Sequence, residues 1–385
     1  MITPELADSF TDSTAAYVHI PFCSSICPYC DFAVVAGKDD MAERYVDAVV
    51  AEIELSDPWR ALDAVYFGGG TPSHVDPLFL ARILESLANH HGISTDAEIS
   101  LEANPEDFAF DRADLLKRVG FNRVSFGAQS FDRAVLLNLG RRHEAGQVAS
   151  AVMAARDAGF SNVSLDLIYG EPGESDRSWT ESVERSVVLQ PDHLSCYALT
   201  VEPGTPLGNA VKDGAGAPDP DAQADRYEVV EQMIQLDRYE VSNWSSTGFE
   251  CRYNLTVWAQ GQYEAYGNGA HGYRDGVRFR NFRHLERYIE TTEQGQLPRA
   301  GAEAIEGWDE ELDRLFVGLR RSVGVALGDG TKALLQSEDG KRLLGASVID
   351  HDKSRLRVVR PLLTDAVYRA VLALQAPIVS GKSYA

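Results

Sequence analysis

Short apolar runs alternate with longer segments of helical periodicity through the first half of the chain. Runs typical of buried strands precede Cys23 and occupy residues 64–67, 98–101, 123–126, 163–168 and 193–199. Between them, apolar residues recur every three or four positions, as along one face of an α-helix. We therefore predict an α/β protein of βα units around a parallel sheet. Right-handed crossovers favour closure into a (β/α)6 partial TIM barrel, although a doubly wound open sheet also fits the alternation.

Glycines and polar side chains mark the carboxyl ends of these predicted strands. The second strand runs into Gly-Gly-Gly-Thr-Pro at residues 68–72, and the third runs into Glu102. Gln129 follows the fourth strand, and Asp166 lies in the fifth. Barrel enzymes place their chemistry at the carboxyl ends of the strands. We therefore expect the functional site at that face.

The charge balance and the apolar pattern exclude several classes of partner. The 385 residues include 58 Asp and Glu against 36 Lys and Arg, which gives a formal net charge of -22. So acidic a surface repels phosphate backbones, and nucleic acid is not an expected partner. No apolar run approaches the length of an integral membrane segment, and the first residues lack the features of a signal peptide. The expected location is cytoplasmic, where thiols stay reduced.

Cys23, Cys27 and Cys30 form a C-x3-C-x2-C pattern on the loop after the first strand. Three thiolates on one short loop can bind three irons of a 4Fe-4S cluster, which normally takes four protein ligands. The missing fourth ligand would leave one iron open to a bound molecule. Zinc is the alternative, but structural zinc sites use four Cys or His ligands in paired spacings. The lone Cys196 and Cys251 are typical of small buried apolar residues.

The residues around these cysteines resemble a known superfamily. Tyr-Val-His-Ile-Pro-Phe-Cys at residues 17–23 and Cys-Pro-Tyr-Cys-Asp-Phe at residues 27–32 are similar to the radical S-adenosylmethionine (SAM) enzymes. The similarity is strongest to their HemW/HemN branch, which contains haem chaperones and oxygen-independent coproporphyrinogen III oxidases. This resemblance implies a 4Fe-4S cluster held by the three cysteines, with SAM on the open iron. Electron transfer from the cluster would then break a carbon–sulfur bond of SAM.

The resemblance also implies which residues surround SAM. In the family, the glycine-rich loop receives the amino group, for which the Glu102 carboxylate is also suited. Arg141, preferred over its neighbour Arg142, offers a planar fork for a carboxylate. Gln129 and Asp166 suit ribose hydroxyls. The expected cofactor-binding residues are Tyr17, Tyr29, Phe32, Gly69, Gly70, Thr71, Glu102, Gln129, Arg141 and Asp166.

Several features favour the chaperones within this branch. Phe32 stands where the oxidases carry a further Cys, only 16 residues precede Tyr17, and residues 239–244 and 267–271 resemble the chaperone sequences. This implies a protein that binds haem and delivers it to apoproteins, with an electron donor for its cluster. The alternatives are an oxygen-independent coproporphyrinogen III oxidase and a divergent radical SAM enzyme with another substrate.

The haem-linked segment of the chaperones, His-Asn-x-x-Tyr-Trp, is altered in this chain. Residues 253–258 are Tyr-Asn-Leu-Thr-Val-Trp, so Tyr253 replaces the imidazole and Val257 replaces the tyrosine. Different haem proteins bind iron through His, Cys, Met or Tyr. Three hypotheses follow: haem binds through Tyr253, or through another group such as His271 or Cys251, or not at all.

The pattern divides the chain into four parts. Residues 1–16 are small and polar and are expected to form a loose tail. Residues 17–215 are expected to form the radical SAM core, and residues 216–300 an extension that packs on the barrel. Residues 301–385 resemble the small winged-helix-like C-terminal domain of HemN-type proteins. The acidity of the chain argues against DNA binding by this domain.

Overall fold

The chain folds around a 12-stranded mixed sheet flanked by helices, in a computed structural model that describes residues 3–376. The strands are β1 (Thr14–Ile20), β2 (Phe22–Cys23), β3 (Val35–Ala36), β4 (Leu62–Gly69), β5 (Ile93–Ala103), β6 (Arg123–Gln129), β7 (Asn162–Tyr169), β8 (His193–Ala198), β9 (Asp237–Arg238), β10 (Asn243–Ser245), β11 (Gln262–Tyr266), β12 (His271–Arg274), β13 (Val277–Asn281), β14 (Arg299–Ala304), β15 (Val325–Ala326), β16 (Ile349–His351) and β17 (Arg355–Val358).

Helices fill most of the segments between these strands. They are α1 (Pro4–Ser9), α2 (Ala42–Leu55), α3 (Pro77–His90), α4 (Phe110–Val119), α5 (Arg133–Asn138), α6 (Ala145–Asp157), α7 (Asp176–Val188), α8 (Pro206–Lys212), α9 (Pro220–Met233), α10 (Arg252–Trp258), α11 (Leu285–Glu293), α12 (Trp308–Gly318), α13 (Asp329–Gln336), α14 (Glu338–Gly345) and α15 (Thr364–Leu372). Short 3-10 turns follow β4 and β5 and precede α15. None of the helices within residues 3–376 is both long and apolar enough to cross a bilayer.

The centre of the sheet confirms the predicted (β/α)6 partial barrel. Strands β1, β4, β5, β6, β7 and β8 are neighbours in this order, and every pair is parallel. All of their carboxyl ends therefore meet at one edge. The sheet does not close on itself, because β11 continues it beyond β1 and β10 continues it beyond β8. The barrel is open along one side.

The alternation of side chains along the central strands separates the core from the barrel interior. Val18, Val65, Leu101, Val124 and Leu165 are fully buried, in one core with apolar residues of the surrounding helices. Successive residues of a strand point to opposite faces. The neighbours of these residues, which are largely polar, therefore face the interior of the barrel.

The extension does more than pack on the barrel, because it lengthens the sheet at both edges. Strand β10 pairs antiparallel with β8, and β9 follows it. At the opposite edge β11 runs parallel to β1 and leads into the antiparallel strands β12, β13 and β14. The expected boundary at residue 300 lies inside β14. The short strands of this region carry too little periodicity to predict such pairing from sequence.

The C-terminal part has the element order expected of a winged-helix-like domain. Helix α12, strand β15, helices α13 and α14, and the hairpin of β16 and β17 follow one another, and α15 ends the described chain. The strands form a three-stranded sheet in the order β15, β17, β16. Leu315, Leu334, Leu356 and Val367 form a separate core that is fully buried. Residues 377–385, which we assigned to this domain, lie outside the described residues.

The N-terminal segment differs from the loose tail that we expected. Thr3 caps helix α1, Ala7 is fully buried, and β1 already begins at Thr14. The Asp8 carboxylate pairs with the guanidinium of Arg355 and lies 3.7 Å from that of Arg321. A segment of low hydrophobicity is therefore ordered by ion pairs to cations that lie far away in the sequence.

We expect Asp8→Ala to destabilise the contact between the N-terminal helix and the C-terminal domain. Arg355 and Arg321 are 5% and 6% exposed, so their guanidinium groups lose a counter-charge that water cannot fully replace. Loss of such a partner costs about 1–3 kcal/mol of unfolding free energy. Chemical denaturation followed by circular dichroism measures this loss. Asp12→Ala is the control, because the Asp12 carboxylate lies on the same segment and pairs with neither arginine; equal stability of both variants would contradict the role of Asp8.

Candidate functional site

A cavity of about 730 Å³ lies at the carboxyl ends of the central strands. Its walls come from the cysteine loop, the loop after β4, the ends of β5, β6 and β7, and part of the C-terminal domain. The predicted site residues that line it are Cys23, Cys27, Tyr29, Cys30, Phe32, Gly69, Gly70, Thr71, Glu102, Gln129, Arg141 and Asp166. Residues that are far apart in the sequence therefore share one chamber, as the parallel topology requires.

The cysteine loop is fixed at both of its ends. Strand β2, which ends at Cys23, pairs with β3, and Phe22 lies opposite Val35. The Thr71 hydroxyl donates to the Cys23 sulfur at 3.6 Å, and the Arg141 guanidinium donates to the Cys27 sulfur at 3.7 Å. Burial raises the pKa of Cys23 to about 11. The thiols thus lie in a partly dehydrated position beside donors that suit thiolates.

The three thiols fit a cluster better than a single metal ion. Cys23, Cys27 and Cys30 are unpaired and all line the cavity. Within residues 3–376, no three His, Cys, Asp or Glu side chains converge as they would around one ion. In a 4Fe-4S cluster each thiolate binds a different iron, so the thiols need not converge. Three free thiols that line one cavity are therefore compatible with the cluster that the cysteine spacing predicted.

The glycine-rich loop after β4 lies directly against the strand that carries the cysteines. The Gly70 amide donates to the Ile20 carbonyl at 2.8 Å, and the Thr71 amide donates to the Phe22 carbonyl at 2.9 Å. Gly69 has a φ of 109°, and a Cβ built there would lie 2.2 Å from the His19 ring. These glycines therefore make room for the protein's own chain as well as for a ligand.

Glu102 projects from β5 into the cavity and is held by two donors. The Tyr66 hydroxyl donates to its carboxylate at 2.8 Å, and the Gly69 amide donates at 3.0 Å. Burial raises the pKa of Glu102 to about 7, and the Asp166 carboxylate adds to this effect. The side chain is thus a fixed acceptor that changes charge near neutral pH.

Gln129, Arg141 and Asp166 form a further part of the cavity wall. Gln129 has a φ of 59° at a bulge between β6 and β7, a backbone conformation that is uncommon outside glycine and that redirects the side chain. Arg141 donates to the Gly127 carbonyl at 3.0 Å and to the Asn104 side chain at 2.6 Å. The Ser125 hydroxyl lies within 3.0 Å of both Asp166 oxygens. These contacts orient one guanidinium and one carboxylate toward the cavity.

Several cavity residues were not identified from the sequence. Tyr66, Asn104, Ser125 and Ser195 line the same space. Tyr66, Ser125 and Ser195 lie on the interior face of their strands, because alternate residues of a strand point to the same side. Counting back in steps of two from the polar residues at the strand ends could have identified them from the sequence. Asn104 follows Glu102 by two residues, and its contact with Arg141 depends on folding.

Tyr17, Tyr253 and His271 do not line this cavity. The rings of Tyr17, Tyr66 and Tyr253 stack on one another at centroid distances of 5.2–6.3 Å. The Tyr17 hydroxyl donates to Nδ1 of His19, whose Nε2 contacts the Ala33 carbonyl. Burial raises the pKa of Tyr253 well above its usual value. His271 lies on β12 in a separate surface groove. The two predicted haem ligands are therefore in different places.

The C-terminal domain closes part of the cavity. Arg320, Leu362 and Thr364 of this domain line it, as does the cysteine loop. At the mouth, Ile26, Phe32 and Leu362 expose apolar side chains. The sequence did not predict that this domain contributes to the site.

The chain has extensive similarity to characterised proteins. It matches the model of the Radical SAM superfamily over residues 17–185. It is 38% identical to the heme chaperone HemW of Mycobacterium tuberculosis H37Rv, with 96% of this chain and 97% of that protein covered. It is 33% identical to the heme chaperone HemW of Bacillus subtilis 168, with 81% of this chain and 84% of that protein covered.

The fold agrees with a solved radical SAM structure. Coproporphyrinogen III oxidase (HemN) from Escherichia coli superimposes with a TM-score of 0.79 at 22% identity, covering 96% of this chain and 93% of that one. At this level of identity the likeness concerns the fold alone. The relatives that align along nearly the whole chain decide the family. The chain belongs to the radical SAM superfamily and, within it, to the HemW family.

Proposed function

We propose that this protein is a haem chaperone that binds a 4Fe-4S cluster, SAM and haem, and delivers haem to apoproteins. The observation that carries the first part is the meeting of Cys23, Cys27 and Cys30 with polar strand ends in one cavity. The haem-handling part is supported by relatives named heme chaperones that align over 96% of the chain. We also propose that the protein is cytoplasmic and that a separate electron donor reduces its cluster.

In this proposal the cavity residues bind and orient SAM. Glu102 and the backbone of Gly69 and Gly70 accept from its amino group, while Arg141 pairs with its carboxylate. Gln129 and Asp166 bind ribose hydroxyls. When bound, the cluster supplies the electron that cleaves the carbon–sulfur bond of SAM. The protein contributes orientation and shields the reactants from water.

The oxidase alternative is less well supported than the chaperone proposal. The side chain at residue 32 is an exposed phenyl ring rather than the additional thiol of the oxidases. The match to the oxidase structure reflects a shared fold. Detection of a vinyl product from coproporphyrinogen III in an anaerobic assay would reverse this preference.

We expect the triple variant Cys23→Ala, Cys27→Ala, Cys30→Ala to lose the cluster. After anaerobic reconstitution, the wild-type chain should bind about four irons and the variant almost none. Iron analysis and the visible absorbance band measure this difference. Cys196→Ala, which removes a buried thiol of the core outside the cavity, is the control and should keep the cluster. Retention of iron by the triple variant would exclude these ligands.

We expect SAM affinity to increase with pH through Glu102. Its raised pKa of about 7 means that its carboxylate, the form that accepts from an amino group, forms as the pH rises through that value. The ionised fraction then increases roughly tenfold between pH 6 and pH 8, and the dissociation constant should fall by a similar factor. Equilibrium binding to cluster-loaded protein measures it.

Glu102→Gln should remove most of this pH dependence, because glutamine does not titrate. Glu52→Gln is the matched control. The pKa of Glu52 is also raised by burial to about 7, but this residue of α2 lies outside the cavity, where its carboxylate accepts from the Gly267 amide of the extension at 2.9 Å. Its variant should keep the pH dependence. A flat profile in the wild-type protein would contradict the role of Glu102.

An anaerobic haem titration of the cluster-reconstituted protein tests the chaperone proposal. Saturable binding of one haem per chain, followed through the haem absorbance band, is the expected result. Transfer of this haem to an apoprotein added afterwards should restore the acceptor's own spectrum. Absence of haem binding in a protein that still cleaves SAM would reject the chaperone role and leave a radical SAM enzyme with another substrate.

A further inference from the structure

One segment of this acidic protein is rich in arginine. The chain carries a net charge of -22, yet residues 271–287 contain Arg274, Arg278, Arg280, Arg283 and Arg287 with only Asp275 and Glu286 between them. The segment forms β12, β13 and the start of α11. Its charge is therefore a local property of one region of the extension.

A groove of about 340 Å³ crosses this region of the sheet. His271 on β12 lies directly opposite Arg280 on β13, and Arg280 lies opposite Gly301 on β14. Side chains of directly opposed residues share one face, with Cβ atoms about 4.5–5.5 Å apart. Gly301 carries no side chain, and the Arg280 side chain lies over it, with Nε 3.6 Å from the position of a Cβ built there. An exposed imidazole and an exposed guanidinium thus lie together on one face of the sheet.

Four ionisable side chains line this groove: His271, Arg278, Arg280 and Glu303. Arg278 is neutralised by Asp313 at 2.7 Å, and Arg299, near the edge, lies 3.5 Å from Glu52. Within residues 3–376, neither the Arg280 guanidinium nor the His271 imidazole forms an ion pair or a side-chain hydrogen bond. The groove therefore presents a cation and a nitrogen ligand side by side, with the Glu303 carboxylate on the β14 wall, opposite Arg278.

We propose that haem docks on this groove, with His271 as an iron ligand and Arg280 paired with a propionate. The inference deepens the proposed function and rests on it. Imidazole is a common haem ligand, and a guanidinium fork matches a carboxylate. A simple anion could pair with Arg280 but would have no metal for the His271 imidazole to bind. Haem can use both groups at once, because it carries an iron and has propionate carboxylates at its edge.

The protonation of His271 agrees with this role. Partial burial and the nearby Arg280, Arg283 and Arg278 lower the pKa of His271 below its usual value. The neutral imidazole is the form that binds metals. Tyr253, the residue at the altered family position, is placed differently. Its ring is packed against Tyr17 and Tyr66, and burial disfavours the tyrosinate that iron would require.

The groove is also connected to the cysteine loop. Gly269, two residues before His271, approaches Ala33 so closely that a Cβ at position 269 would lie 2.7 Å from the Ala33 Cβ. The Asn268 side chain donates to the carbonyls of Ala33 and Arg283 at 3.1 and 3.0 Å. The Arg283 guanidinium donates to the Asp31 carbonyl. Haem on the groove would therefore lie on a segment braced against the cluster loop.

Haem titration of His271→Ala tests the site. The variant should bind haem at least about tenfold more weakly than the wild type, a loss of about 1.4 kcal/mol, and its absorbance and electron paramagnetic resonance spectra should lose the signature of an imidazole ligand. Free imidazole added to the variant should restore that signature, a rescue that a folding defect would not show. His351→Ala, at an exposed position on the C-terminal domain, is the control.

Two further variants separate the ligand from its surroundings. Arg280→Glu should weaken binding roughly tenfold, as expected for loss of one charge-assisted hydrogen bond, while the imidazole signature persists. Tyr253→Phe should leave affinity and spectrum unchanged. Wild-type affinity and spectrum in His271→Ala would overturn this site and leave the chaperone function intact. Absence of haem binding by the wild-type protein would overturn the function and the site together.

Discussion

The arrangement of the site depends on a close backbone approach that only glycine allows at positions 69 and 70. A Cβ at Gly70 would lie 2.7 Å from the carbonyl carbon of Pro21, and one at Gly69 would overlap His19. Because both are absent, the end of β4 lies in backbone contact with the strand that leads to Cys23. Thr71 then reaches the Cys23 sulfur, and Glu102 reaches the Gly69 amide. A side chain at either glycine would separate the cysteine loop from the strand ends.

Two carboxyl groups are buried together inside the barrel. Glu102 and Asp166 face the same cavity, and burial raises the pKa of each. Carboxylates held in such a place favour a ligand that brings cationic or N–H groups to them. The sulfonium and amino groups of the proposed ligand are of this kind. Arg141 donates through Nη2 to Asn104 and Gly127 and through Nη1 to the Cys27 sulfur. Its positive charge is thereby held near the thiols, where it suits a ligand carboxylate.

The sequence predicted those parts of the molecule that depend on local pattern. The period of two in the strands and the turn-forming residues at their ends were sufficient to place Glu102, Gln129 and Asp166 at one face. Contacts across long sequence separations were not predictable in the same way. The ion pair of Asp8 with Arg355 and the cavity wall at Leu362 depend on how distant segments pack. The Tyr253 ring illustrates the same limit, since a motif position does not reveal that its side chain is stacked between neighbours rather than open to a ligand.

The wall that the C-terminal domain adds to the cavity has a consequence for biosynthesis. The cysteine loop leaves the ribosome more than three hundred residues before Leu362, a delay of roughly twenty seconds to one minute at typical elongation rates. During that interval the nascent barrel lacks the segment that covers its mouth. The three thiols therefore precede by far the last part of the cavity wall, which is complete only when the C-terminal domain has been synthesised.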